Sequence, residues 1–120
     1  MSMERVRSRL TDMLVAMERI DGIVSPLNFD GYLASFEKQW LLERGVEIVS
    51  EAARHGSQAL IEQYPQIRWR DIMQIGNRLR HEYDRVDPFV MWSIATKHLV
   101  ELKPVIVALL TKLETDLDIR

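Results

Sequence analysis

Residues 67–88 read IRWRDIMQIGNRLRHEYDRVDP, and the fold turns on how that stretch divides. Pro65 cannot continue a helix, so a new one starts after it and runs from about Trp69 to Arg80 or His81. Asp87 followed by Pro88 is an N-cap and N1 pair that opens another helix. Within the first of these, Asn77 and His81 stand four apart and Arg78 and His81 three apart, so the three side chains share one face. Tyr83 would lie about 200° around from His81 if the helix ran on. The two can cooperate only if the helix ends between them.

Upstream, Val6, Leu10, Met13, Leu14, Met17 and Ile20 form one face of an amphipathic helix. DGIVSPLNFDG (21–31), with two glycines and a proline, reads as a loop. A second helix is expected from about Tyr32 to Arg54, buried centrally because WLLERGVEIVSEAA is apolar on several sides. Gly45 inside it costs roughly 1 kcal/mol against alanine unless a neighbouring helix packs close. Gly56 reads as a C-cap and Ser57 as the cap of a short helix through Glu62. Downstream of Pro88, a helix carries Val90, Trp92 and Ile94. Pro104 divides it from a last one, Val105 to about Leu117, with Val105, Leu109, Leu110 and Leu113 inward. No run alternates as a strand would. The expectation is an all-α, mostly antiparallel bundle of about five helices, forming one domain over residues 1–120.

Composition narrows the function. The 120 residues carry a net charge of −2 and no cysteine. A chain that coats nucleic acid through its phosphates has a basic bulk charge, so any anion recognition here is local. The missing cysteines exclude disulfides and thiolate metal sites and fit a cytoplasmic protein. The charged start MSMERVRSRLTDML is no signal peptide. No apolar run is long enough to span a membrane.

The local patch lies in the opening stretch: Arg68, Arg70, Arg78, Arg80 and Arg85 outnumber Asp71, Glu82 and Asp84. A guanidinium beside an imidazole suits phosphoryl chemistry, the cation holding a phosphate while histidine moves a proton. The same string also suits a solvated helix end, and spacing alone does not separate the two. His55 sits at an expected helix end, where a cation meets the helix dipole. His98 stands alone beside Lys97. No set of side chains has metal-ligand spacing, and no glycine-rich phosphate loop follows a strand, so neither metal nor nucleotide cofactor is expected.

From IRWRDIMQIGNRLRHEYDRVD onward, the chain resembles the HepT-like branch of the HEPN superfamily, whose members read I-P-W-R-x-I-x-G-M-R-N-x-L-V-H-x-Y-x-x-V-D here. Trp69, Arg70, Ile72, Asn77, Leu79, His81, Tyr83, Val86 and Asp87 match position by position. VEIVSEAARHG is similar to the family's IIGEAA helix, and VMWSIATKHLVELKPVI to its closing segment. The resemblance implies an all-α homodimer whose motif helices meet in one composite cleft. It implies a metal-independent ribonuclease toxin acting on RNA, paired with a nucleotidyltransferase antitoxin that adenylylates the motif tyrosine, here Tyr83. His81, Asn77, Arg78 and Tyr83 would form the catalytic set, with Arg70, Arg80 and Arg85 binding substrate. One departure stands out: counting back from His81, the motif arginine is Gly76. Three readings follow. Arg78 or Arg80 supplies the missing charge, Arg78 being better placed one turn before His81. Alternatively the chain is a degenerate relative that binds nucleotides, RNA or the nucleotidyltransferase. In the third, the partner still modifies Tyr83 although little activity remains.

Overall fold

The computed structural model describes residues 3–119, and among them every regular element is helical. Helix α1 spans Met3–Val24 and buries Leu10, Met13, Ala16, Met17, Ile20 and Val24, the stripe expected from the sequence carried one turn further. It continues through the first residues of the expected loop because Val24 finds a buried place. Gly22, with open space around it, does not interrupt it.

The central helix differs from expectation at both ends. A short α2, Phe29–Leu33, is capped by Asn28, whose Oδ1 accepts the Gly31 N–H at 2.8 Å. Ser35 then accepts the Lys38 N–H at 3.2 Å and opens α3, Phe36–Gln63. The expected C-cap at Gly56 and the separate helix after Ser57 are therefore corrected: α3 runs straight through both. Gly56 is buried inside it, and a lone glycine costs only about 1 kcal/mol. A true stop comes with Tyr64-Pro65. At Gly45 an added Cβ would lie 2.8 Å from Ile20 Cγ1, so this glycine lets α1 and α3 approach closely.

Helix α4, Trp69–His81, lies against the other flank of α3. The Trp69 ring is buried, and its Nε1–H donates to the Tyr64 carbonyl at 2.8 Å, tying the turn between the two helices. A 3₁₀ turn, Tyr83–Arg85, leads to α5, Pro88–Ser93, where Asp87 Oδ1 accepts the Phe89 N–H at 2.9 Å. A π turn over Ile94–His98 passes into α6, Leu99–Ile119. Pro104 does not divide this rod as expected; it lies inside α6. The carbonyl it orphans belongs to Val100, and both residues are exposed, so water can take the lost hydrogen bond. Leu99, Leu102, Ile106 and Leu109 bury the opposite side and hold the helix together. Among the described residues no helix is long and apolar enough to cross a membrane.

Candidate functional site

Helix α4 is built in two halves. Trp69, Gly76 and Leu79 are buried against the body of the protein. Arg70, Gln74, Asn77, Arg78 and His81 form an exposed ridge. At about 100° per residue, Arg78 stands roughly 60° from His81 on one side of this ridge, and Asn77 about 40° away on the other. Arg70 lies on the same strip about 16 Å along the axis. The helix ends at His81: Glu82 turns to φ −131°, and its N–H closes on the Arg78 carbonyl at 2.7 Å. Tyr83 opens the next turn, 76% exposed. The break thus falls between His81 and Tyr83, which removes the constraint that would set them on opposite sides of one helix.

The side chains of this edge differ in what engages them. Asn77, His81, Tyr83, Arg70 and Arg85 make no hydrogen bond or ion pair among the described residues. Arg78 Nε lies 3.8 Å from Glu82, both largely in solvent, a contact of little energetic weight. Arg80 is held more firmly. Its side chain is 30% exposed against 63% for Arg78, and its Nη1 donates to Glu51 Oε2 of α3 at 3.3 Å. Glu51 also meets His55 Nε2 at 3.1 Å and Arg54 Nη1 at 3.7 Å. One carboxylate thus gathers three basic side chains at the α3–α4 seam.

Gly76 explains the seam. Its N–H donates to Ser50 Oγ at 3.1 Å, and the same hydroxyl donates to the Met73 carbonyl at 3.0 Å. A Cβ on residue 76 would lie 2.8 Å from Ser50 Cβ and in collision with its hydroxyl. Arg80 Nη1 sits 3.6 Å from that Cβ position. Residue 76 therefore faces α3, has no room for any side chain, and has the Arg80 guanidinium beside it.

Asn77, Arg78 and His81 thus share one exposed face of α4, and Tyr83 follows in the turn directly after it. The structure turns Arg80 aside to α3, and leaves Arg70 and Arg85 as free cations above and below. Spacing assigns no role to Ser50 or Glu51; a serine and a glutamate inside a centrally packed helix are the signal that could have found them. Spacing also sets His98 aside, yet the π turn brings His98 to the rim of an open groove between α4 and the α5–α6 rod, which Arg78 also lines. Among the described residues, no three His, Asp or Glu side chains converge where a metal ion could sit.

With this geometry in view, the model of the family described as Ribonuclease HepT-like matches residues 13–109, from the core of α1 into α6. The chain belongs to the HepT-like ribonuclease family. Two curated relatives agree. The protein of Thermococcus cleftensis named "Probable ribonuclease HepT" is 28% identical over 94 residues, covering 78% of this chain and 86% of its own length. The Methanocaldococcus jannaschii protein named "Putative RNase MJ0127" is 28% identical over 89 residues, 74% of each chain. No solved structure matches. The matched span contains α4, the turn after it and the Ser50–Gly76 seam, so the candidate edge lies wholly within the family's domain.

Proposed function

We propose that this protein is a metal-independent endoribonuclease of the toxin type, acting at the exposed edge where α4 ends. The observation that carries the reading is that Asn77, His81 and Tyr83, the residues that resemble the family motif, make no side-chain hydrogen bond or ion pair among the described residues. They stand free at a helix end flanked by Arg78 and Arg80. In the reaction, His81 takes the proton of a ribose 2′-hydroxyl and the O2′ attacks the adjacent phosphorus. The P–O5′ bond breaks, and the 5′-oxygen leaves with a proton from solvent. Arg78 approaches the phosphate from the side of the ridge and supplies the charge that Gly76 cannot, and Arg80 adds to it where it leaves Glu51 for the substrate. Arg70 and Arg85, unpaired in this structure, extend the contact to neighbouring phosphates. A second copy of the chain completes the cleft across a two-fold axis. A nucleotidyltransferase partner silences it by transferring AMP from ATP to the Tyr83 hydroxyl, with release of pyrophosphate. Tyr83, 76% exposed, is open to that transfer.

The test is cleavage of pooled transfer RNA by the purified protein with chelator present. His81→Ala should abolish cleavage without changing the circular dichroism spectrum. The Arg78→Gln/Arg80→Gln pair should lose about a hundredfold or more in rate. Cleavage that survives His81→Ala overturns the assignment.

A second reading has its own support. The position that holds the family's arginine is given over to helix packing, so the chain can be a non-catalytic module that binds RNA, a nucleotide or the nucleotidyltransferase. Saturable RNA binding by native protein that never turns over would favour it.

A further inference from the structure

Helix α4 rests on α3 and stands apart from the α5–α6 rod, and the space between them is a groove of about 390 Å³. Its floor is aliphatic: Val46 and Val49 from α3, Ile72 and Ile75 from α4, Ile94 and Leu102 from the far wall. This volume lies within the roughly 300–1,000 Å³ of small-molecule sites, and an apolar floor with a few polar groups at the mouth is their usual make-up. We propose that this groove binds the base of the nucleotide next to the scissile phosphate. The proposal rests on the ribonuclease reading above and names a site for that substrate.

Four observations favour a base over other occupants. The first is charge. Arg68 and Arg78 line the groove with Asp71 and Glu101, and Arg68 is neutralised by Asp71 at 2.7 Å. A mouth so balanced does not select a second phosphate; it accepts a neutral group with a polar edge. The second is the pair of carboxamides, Gln66 and Gln74, which also line it. An amide both donates and accepts, which is what the mixed edge of a base requires. Both residues are exposed and neither makes a hydrogen bond among the described residues. Third, Arg78 belongs both to this groove and to the edge around His81, so a base seated here keeps its phosphate within that arginine's reach. The fourth is the π turn over Ile94–His98. Its wider turn directs both Ile94 and His98 to the groove, and single π turns recur at functional sites. A splayed-out base held between apolar walls and read along its edge is a common mode of single-stranded RNA recognition.

The test is calorimetric titration of the native protein with each of the four nucleoside 3′-monophosphates, alongside Gln74→Ala, Gln66→Ala, Ile94→Trp and His81→Ala. At least one mononucleotide should bind saturably. Each glutamine variant should weaken that binding about tenfold and shift the preference among the four bases. Ile94→Trp, which fills the groove, should abolish it, and on a short RNA substrate these three variants should raise KM while kcat holds. His81→Ala should lose cleavage yet keep the native preference among the four bases, since the base contacts do not use it. Binding without cleavage by the native protein would sink the ribonuclease reading and leave the groove standing. Cleavage by native protein with no mononucleotide binding, or with binding indifferent to Ile94→Trp and both glutamine variants, overturns the groove. So does an Ile94→Trp protein that binds nucleotide normally but changes its mass in light scattering, because a second copy then covers the groove. The two exposed glutamine variants keep the proposal testable should Ile94→Trp fail to fold.

Discussion

At Gly76 a single missing side chain decides how two helices meet. The Ser50 hydroxyl is fully buried, accepts the Gly76 N–H and donates to the Met73 carbonyl, so one hydroxyl of α3 bridges two backbone groups of α4. Gly76→Ala should therefore destabilise by about 1–3 kcal/mol despite alanine's better helix propensity. Ser50→Gly, which opens the space, should return much of that loss, and urea denaturation of the double-mutant cycle would measure a coupling of about 0.5–3 kcal/mol. Additive effects would mean the two residues do not meet. Glu43 is a second residue with a measurable consequence. Burial pushes its carboxyl above the usual value, and burial followed by the Glu43 charge pushes the Tyr32 hydroxyl up as well. A raised carboxyl means the fold disfavours the ionised form. Stability is then lost as pH rises from the ordinary glutamate value of about 4.3 through the raised one. Glu43→Gln should melt higher than the native protein at neutral pH, with the two melting temperatures converging near pH 4.

Among the elements, α4 was the most legible in the sequence. Trp69 begins it, His81 ends it, and Asp87-Pro88 opens the next helix. Each boundary is set by local chemistry: a proline upstream and a carboxylate cap downstream. Asp87→Ala should cost about 1 kcal/mol, read as a drop in denaturation midpoint, since it removes the acceptor for the Phe89 N–H. The helices misjudged were those whose limits are set by burial. Gly56 looked like a stop and is a buried residue inside α3. Pro104 looked like a break and lies on the wet side of α6, where its missing hydrogen bond matters little. Neither is visible from spacing, because both depend on which way the residue faces in the finished bundle. The same holds at the site: Asn77, Arg78 and His81 could be grouped by helical period, whereas Glu51 and Ser50 join only across the contact between α3 and α4.

For the whole molecule, 51 × 29 × 22 Å in extent, the family's domain accounts for the fold from Met13 to Leu109. The composite cleft of the proposed function calls for two copies. Light scattering should give twice the 14.1 kDa of one chain. Full RNA cleavage by a species of 14.1 kDa would remove the second copy from the mechanism.

The contact between Ser50 and Gly76 also has a bearing on descent. By the resemblance set out above, the family's IIGEAA segment would carry glycine at the place of Ser50, and the motif arginine would fall at the place of Gly76. On that correspondence the small residue would sit on the opposite side of the same contact. Starting from the present pair, position 76 could not grow first, because any side chain there meets the serine hydroxyl. The order of substitution is constrained: position 50 must shrink before position 76 can grow. Gly76→Arg alone would disrupt the packing of α3 on α4, and Ser50→Gly is the change that would have to precede it.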